Sequence, residues 1–237
     1  MLEVRGLRAG YGGSVVIDGI DLDVAAGEFV VVIGPNGHGK TTLLRAISGL
    51  LPARSGSVAF KGEDITGQRT EAIVGRGLVQ IPQGDLLFPD MSVQENLLLG
   101  AFTLGRGGGR ADRLAEVYEI FPRLAERNGQ RARTLSGGER RMLALGRGLM
   151  ARAELLMIDE PSLGLAPVLV DEVYERISRI AASGVTVLLV EENFAHVREV
   201  ADRVVLIENG SVVLAGSVDE VLENPAVTAT YLGVGGE

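Results

Sequence analysis

The chain has 237 residues, of which 46% are hydrophobic and 23% charged, proportions typical of an ordinary globular protein with a buried core. Its 23 basic and 31 acidic side chains give a net charge of −8, which argues against nucleic-acid binding as the main task, and the lack of cysteine excludes disulfides and thiol chemistry. We find no apolar run near the ~20 residues of a membrane-spanning helix and no signal segment, so we expect a chain that does not enter a bilayer by itself, with a cytosolic location permitted.

The first part of the chain is predicted to form strands and then a helix. Short β-branched runs such as 15–17 and 29–33, separated by glycine pairs, indicate strands from residue 2 to about residue 31, with a turn at 27–28. Residues 41–50 then carry leucine and isoleucine at helical spacing. A strand, a glycine loop and a helix therefore follow one another.

The rest of the chain is predicted to complete a parallel sheet around a helical insertion. Nearly continuous apolar runs, typical of strands covered on both faces, lie at 78–81, 155–158 and 185–190. Residues 92–150 carry helical patterns, broken by a glycine-rich flexible stretch at 105–109. Near the end, Asn209 and Gly210 supply the positive φ of a hairpin turn between strands at 204–207 and 211–214.

The glycine loop matches a known phosphate-binding pattern. Residues 34–41 read G-x-x-x-x-G-K-[ST] after a strand and at the start of a helix, so backbone N–H groups converge on phosphate oxygens. We expect Lys40 to reach the outer phosphates and the Thr41 hydroxyl to bind Mg²⁺. The alternative is a plain glycine turn, but Lys40 and Lys61 are the only lysines beside 21 arginines, which argues against a chance match. The expected nucleotide contacts here are Asn36, Gly37, His38, Gly39, Lys40, Thr41 and Thr42.

Two carboxylates end the second of the apolar runs. Asp159 and Glu160 directly follow the strand at 155–158, at the edge where parallel sheets bind ligands. We predict that Asp159 supports Mg²⁺ and that Glu160 orients and deprotonates an attacking water. The alternative is a solvated acidic turn before Pro161. A second acid favours hydrolysis over the transfer performed by a small-molecule kinase.

A third motif carries a family resemblance. Leu135, Ser136, Gly137, Gly138 and Glu139 resemble the LSGGQ signature of ABC-type ATPases, and the order and spacing of the three motifs match that family. The resemblance covers the whole chain and implies an α/β fold: a P-loop NTPase with a RecA-like parallel-sheet core, an N-terminal antiparallel β subdomain and a helical insertion. One domain would span 1–237, with 1–83 and 151–237 as the core and β subdomain and 84–150 as the helical subdomain.

The resemblance also implies how the chain works. Two such subunits would pack head to tail, so that Ser136 to Glu139 of one cap ATP held on the loop of the other. Gln83 resembles the family's Q-loop, which contacts Mg²⁺ or the attacking water and relays to membrane subunits; by itself it would equally be a polar residue ending a strand. Tyr11 resembles the aromatic residue that stacks on adenine, although unsupported it would be an edge-strand tyrosine.

The chain departs from the family at several positions. Glu192 aligns with the switch histidine of the family, and an ionised carboxylate there would repel a γ-phosphate, so the role is lost, moved to a partner, or met by protonated Glu192. His196 lies four residues later and is no substitute. His38 is expected to face outward. Ala166 stands where many relatives have aspartate, which predicts weaker coupling between the two sites.

These departures resemble one subgroup. The run DEPSLGLAP, the VE-x-N segment and a tail containing 231–233 look like ATPase subunits of importers for branched-chain amino acids and related amides or urea. The subgroup implies permease subunits, a second ATPase subunit, an indirect substrate-binding protein and a location at the cytoplasmic membrane face. The runner-up subgroup is the lipopolysaccharide-export ATPases, which keep the histidine.

A basic segment stands out in the acidic chain. Residues 123–152 contain eight arginines and two acids. The segment contains no aromatic residue, Phe121 lying just before it, so it lacks a stacking platform for nucleic acid. We expect several of its arginines to form the solvated face of a helix. A P-loop ATPase acting on DNA or ribosomes remains the alternative class, although this chain has no room for the coiled coils or the second cassette of those relatives.

Overall fold

The computed structural model describes residues 1–105, 108–192 and 198–224. The strands are β1 (Leu2–Ala9), β2 (Ile17–Val24), β3 (Phe29–Ile33), β4 (Ser55–Phe60), β5 (Glu63–Asp64), β6 (Leu78–Ile81), β7 (Leu155–Asp159), β8 (Thr186–Glu191), β9 (Arg203–Glu208) and β10 (Ser211–Ser217). The helices are α1 (Lys40–Ile47), α2 (Thr70–Gly75), α3 (Val93–Gly100), α4 (Arg110–Ile120), α5 (Pro122–Glu126), α6 (Gly137–Leu149), α7 (Pro167–Ala182) and α8 (Val218–Leu222), with one 3₁₀ turn at Ala132–Thr134.

The N-terminal strands form an antiparallel sheet in the order β2-β1-β4-β5. The prediction of a strand at 15–17 is wrong, because β2 begins only at Ile17. Ser14 N–H donates to the Tyr11 carbonyl, which closes a turn, and Val15 before β2 is 43% exposed. Val16 N–H already donates to the Ala9 carbonyl of β1 (2.9 Å), so the pairing with β1 begins at the end of this run.

The second sheet has the order β10-β9-β3-β8-β7-β6 and is parallel except for β10. The residues of β3, β7 and β8 are all buried, because the sheet is covered on both faces. Helix α1 and the antiparallel sheet cover one face, while α6 and α7 cover the other. The predicted hairpin is confirmed: Asn209 and Gly210 have φ of 49° and 79° between β9 and β10.

Helices α3 to α6 fill the stretch between β6 and β7, so the helical insertion is confirmed. The glycine stretch 105–109 ends at Gly109, which precedes α4 with φ of 68°, while 106 and 107 lie outside the described residues. Sequence analysis did not predict β4, β5, α2 or α7. No helix in the described parts of the chain has the length and apolarity to cross a membrane.

The parallel strands bring their carboxyl ends to one edge of the sheet. Ile33, the last residue of β3, pairs with Glu191 of β8, and Asp159 of β7 pairs with Val190. The glycine loop after β3, the acid pair after β7 and Gln83 after β6 therefore meet at this edge, which is where ligands of such sheets bind.

Candidate active site

The glycine loop is shaped by close backbone approaches. A side chain at Gly34 would collide with the Ile207 carbonyl of β9, and one at Gly39, where φ is 105°, would come within 2.7 Å of Ile17 Cγ2. The expectation that His38 faces outward is wrong. Its half-buried ring accepts a hydrogen bond at Nδ1 from Asn209 N–H (3.1 Å), and its carbonyl accepts one from Gly210 N–H. The hairpin thereby supports the loop from outside.

Lys40 lies inside the loop and is 3% exposed. Its ammonium donates to the carbonyls of Gly34 (2.7 Å) and Pro35 (3.2 Å), and lies 3.4 Å from Glu160 Oε1. A buried ammonium needs such partners, because an uncompensated charge is costly away from water. Phosphate oxygens entering the loop would compete with the Glu160 carboxylate for this ammonium.

Thr41 and Asp159 meet below the loop. The Thr41 hydroxyl donates to Asp159 Oδ1 (3.0 Å), whereas Asp159 Oδ2 is buried and receives no hydrogen bond from the described residues. Burial raises the pKa of Asp159 to about 6, and the nearby Glu160 charge adds to this rise while Thr41 opposes it. A buried carboxylate oxygen without a partner, beside a hydroxyl, fits a cation held by few protein ligands and by phosphate, as Mg²⁺ is in nucleotide sites.

Glu160 is held in a strained position at the end of β7. It is 6% exposed and has φ of 44°, a left-handed conformation unusual for a residue with a side chain. Its backbone N–H donates to the Val190 carbonyl (2.9 Å), and its Oε2 accepts from Gln83 Nε2 (2.8 Å). Gln83 therefore contacts the predicted base, whereas the contact with Mg²⁺ or water that the resemblance implies for Gln83 stays a prediction. Within the described residues we find no cluster of three or more His, Cys, Asp or Glu that could hold a metal.

Two further acids lie at the end of β8: Glu191 is its last residue, and Glu192 follows it. Glu192 reaches the loop, where its Oε2 accepts from Asn36 Nδ2 (3.2 Å). Glu191 is buried and accepts hydrogen bonds from Tyr174 Oη, from Ser162 Oγ (3.0 Å) and from Ser162 N–H (3.3 Å). Burial raises the pKa of Glu191, although those donors oppose the rise. His196 and residues 231–233 lie outside the described residues.

The signature residues stand at the start of α6. Ser136 is the N-cap: its hydroxyl accepts from Glu139 N–H (3.3 Å), and Glu139 Oε2 accepts from Ser136 N–H (2.9 Å). Arg127 also pairs with Glu139 (2.8 Å). Burial by itself would raise the pKa of Glu139. The hydrogen bonds to Ser136 and the arginine charges outweigh burial, so the pKa of Glu139 is lowered. Glu139 therefore holds the helix start, while Gly137 and Gly138 present the backbone of its first turn.

Tyr11 lies in the segment that follows β1, beside helix α1. Its ring is 45% exposed, and its hydroxyl accepts from Arg45 Nη1 of α1 (3.0 Å). The stacking of Tyr11 on adenine that the resemblance implies stays a prediction, for which the exposed ring has room.

The arginines of α6 were mispredicted as a solvated face. Arg141 is 4% exposed, and Arg140 and Arg147 are half-buried. They contact Asp85 and Leu86 in the segment after Gln83. Sequence reasoning also missed Asp85, Glu191, Ser162 and Tyr174. The one usable signal was Glu191 directly after the apolar run 185–190, since a buried charge is retained only with partners.

Comparisons with known proteins identify the family of the chain. A family model described as ABC transporter matches residues 17–163. The chain is 40% identical to the high-affinity branched-chain amino acid transport ATP-binding protein BraG of Pseudomonas aeruginosa, over 98% of this chain and all of that protein. It is 34% identical to the probable branched-chain amino acid transport ATP-binding protein LivF of Archaeoglobus fulgidus, over 99% of each chain.

Solved structures show the same architecture. The ADP conformation of MJ1267, an ATP-binding cassette of an ABC transporter, superposes with a TM-score of 0.87 at 28% identity over 98% of each chain. A nucleotide-free ATP-binding cassette from an ABC transporter gives 0.86 at 27% identity, over 100% of this chain and 99% of the other. The predicted α/β P-loop fold is confirmed.

Proposed function

The chain belongs to the ABC transporter family as an ATPase subunit, and from this premise we propose that it powers the import of branched-chain amino acids or related amides. ATP-binding subunits of such systems pair with membrane permeases and with a second ATPase subunit, and they associate with the membrane peripherally. We place this subunit at the cytoplasmic face. The observation that carries the proposal is the meeting of Lys40, the Thr41–Asp159 pair and Glu160 at one sheet edge.

In the proposed reaction, Glu160 takes a proton from a water whose oxygen attacks the γ-phosphorus of ATP. The bond from that phosphorus to the bridging β,γ-oxygen breaks, and ADP and inorganic phosphate leave. Gln83, which donates to Glu160 Oε2, orients this carboxylate toward the water. Lys40 Nζ lies 3.4 Å from Glu160 Oε1, so the phosphates that Lys40 is proposed to hold lie close to the proposed base.

Thr41 and Asp159, together with Gln83, would hold the metal. Mg²⁺ bound there would neutralise charge on the β- and γ-phosphates. Asp159 would have to be ionised to bind it, although burial favours its protonated form. The backbone of residues 36 to 39 and the side chains of Lys40 and Thr42 hold the phosphates, and Tyr11 stacks on the base.

The signature at Ser136 to Glu139 completes the site of a second ATPase subunit, so each pocket is shared. Glu192 occupies the switch position. Its carboxylate accepts a hydrogen bond from Asn36 in the loop, whereas a switch residue would have to donate one to the γ-phosphate. We therefore propose a heterodimer in which the partner subunit supplies the more active pocket. Ala166 begins α7 without a side-chain cap, in line with weaker coupling.

The permease is proposed to dock in an apolar groove of about 420 Å³ between the sheet and the helical insertion. Ile81 and Pro82, just before Gln83, line it together with the exposed side chains of Phe88 and Phe102, which are 52% and 58% exposed. An apolar permease segment seated here would touch the residues adjoining Gln83, and so report its conformation to the catalytic edge.

Co-purification tests the proposal. The tagged chain, extracted from membranes in detergent, should bring down hydrophobic subunits, and vesicles holding the complex should accumulate leucine or urea only with ATP inside. Recovery of nucleic acid or ribosomes in place of hydrophobic subunits would contradict it. The Lys40→Ala variant is the control, since it should co-purify but not drive uptake.

A further inference from the structure

The segment that follows Gln83 is bound to α6 by three arginines. Asp85 Oδ2 accepts from Arg140 Nε (3.1 Å), and Asp85 Oδ1 lies 3.6 Å from Arg141 Nε. Arg147 Nη1 donates to the Leu86 carbonyl (2.9 Å). We call Asp85, Arg140 and Arg141 the Asp85 cluster. It links the connection between core and helical insertion to the helix that begins with the signature.

Asp85 and Arg141 of the Asp85 cluster are largely shielded from water, whereas the side chain of Arg140 is 41% exposed. The side chains of Asp85 and Arg141 are 22% and 5% exposed, and Arg141 Nε and Nη1 are buried without a hydrogen bond from the described residues. Asp85 is therefore the acidic partner of a guanidinium that is otherwise poorly compensated, so its loss leaves a buried charge. Screening by solvent, which weakens surface pairs, is small here.

The segment is also conformationally constrained. Gly84 and Leu86, on either side of Asp85, have φ of 74° and 43°, and Leu86 is 67% exposed. A left-handed Leu is unfavourable and persists only where other contacts impose it. The bonds from Arg140 to Asp85 and from Arg147 to Leu86 are those contacts, so the arginines of α6 determine the path of the chain leaving Gln83.

We propose that Asp85 is a positioning residue for hydrolysis, which ties Gln83, and through it Glu160, to the helix whose first turn caps the partner's nucleotide. Arg140 lies one turn after Ser136 and also donates to the Leu135 carbonyl (2.8 Å), so a shift of the signature moves Asp85. Gln83, two residues before Asp85, carries that shift to Glu160 Oε2. The inference rests on the role proposed for Glu160 above.

The test measures ATP hydrolysis by the complete transporter with Asp85→Ala or Asp85→Asn. We expect kcat to fall about tenfold, with KM for ATP within about twofold, because the loop at Lys40 is untouched. Asp85→Glu should restore most of kcat. Asp90→Ala is the matched control and should keep the wild-type kcat. Asp90 lies five residues after Asp85 and also pairs with an arginine, Arg133, but both of these side chains are exposed. A kcat within about twofold of the wild type in either folded variant overturns the proposal.

A double-mutant cycle separates positioning from folding. Arg140→Ala and Asp85→Ala should each lower kcat, and the double variant should lose no more than the worse single one. The proposal is overturned if the loss of kcat in the double variant equals the product of the two single losses, or if the losses follow the melting temperature.

The Glu160→Gln variant separates this proposal from the proposed function. If Glu160→Gln hydrolyses ATP normally, the proposed function fails as well. If Glu160→Gln is inactive while the Asp85 variants match the wild type, only the role of Asp85 fails.

Discussion

The two regions of this chain that are proposed to face nucleotide differ in how their polar groups are satisfied. At the sheet edge, Lys40 and Glu160 are buried against each other and Asp159 keeps one oxygen without a protein partner among the described residues. At the start of α6, Ser136 and Glu139 satisfy each other in a capping box at the surface. The first region therefore keeps a buried oxygen that the described protein groups do not satisfy, whereas the second satisfies its own helix end.

This difference shows what each region needs. The sheet edge gains its full set of contacts only when phosphate and metal enter, because a buried ion that lacks partners is costly. The signature turn gains nothing until another surface brings a nucleotide to its backbone. Changes at the sheet edge should therefore affect this chain by itself, while changes at the signature should appear only in the assembled complex.

The largest effect is expected from Glu160→Gln, which removes the proposed base but keeps the shape of the side chain. Turnover should fall about a thousandfold with ATP still bound, because an amide cannot accept the proton of water. Steady-state phosphate release and nucleotide retention measure this. Glu154→Gln is the control, since Glu154 forms an exposed pair with Lys61. Unchanged turnover would remove Glu160 from the base role.

Lys40→Ala should weaken ATP binding about 100-fold, because it deletes the ammonium that faces the phosphates and leaves Glu160 without its buried partner. Equilibrium titration of the isolated chain with ATP measures the affinity. Lys61→Ala replaces the other lysine, whose side chain is 46% exposed, and should bind as the wild type does. Retained affinity in Lys40→Ala would defeat the assignment of the loop.

Gly137→Ala tests the signature. The nearest atom to the added Cβ is Leu165 Cδ2 at 3.6 Å, an ordinary contact, so the fold should tolerate it. ATP binding by the isolated chain should not change, while hydrolysis by the complex should fall about tenfold, a typical coupling between sites. Gly129→Ala, in an open loop, is the control. Equal loss in the isolated chain would contradict the shared pocket.

Glu192→His tests the switch position. Replacing a carboxylate that accepts from Asn36 by a group able to donate to a γ-phosphate should raise hydrolysis by the isolated chain about fivefold. Glu199→His, at an exposed position after the undescribed residues 193–197, serves as the control. If both variants hydrolyse ATP at the wild-type rate, residue 192 is not the switch.

The smallest effect on activity is expected from Glu191→Gln, which acts on stability. Burial raises the pKa of Glu191 above its usual 4.5, so the stabilisation from its neutral form is present below that pH and is lost as pH rises through the raised value. The variant should therefore gain stability relative to the wild type with rising pH, at no more than about 1.4 kcal/mol per pH unit. Urea unfolding from pH 4 to 8 measures this, with exposed Glu175→Gln as control. A constant difference would contradict the burial argument.

Sequence reasoning succeeded where a few neighbouring residues decide the structure. The loop at 34–41 and the hairpin turn at Asn209 were predicted because glycine, lysine and asparagine act within one turn of chain. The strand at 15–17 failed because a local turn outweighed β-propensity. The prediction that the α6 arginines are exposed was wrong because Asp85, 55 residues before Arg140, contacts them only through the packing of the insertion.

By itself the sequence determined the family, the strands and the helix around the glycine loop, and the candidate residues for phosphate binding, since each depends on spacing along the chain. Tertiary structure alone decided that Gln83 lies on Glu160, that Glu192 reaches Asn36, and that Asp85 joins α6 to the sheet edge. Those contacts join residues 55 to 156 positions apart, and they follow from strand register and helix packing, which no local pattern encodes.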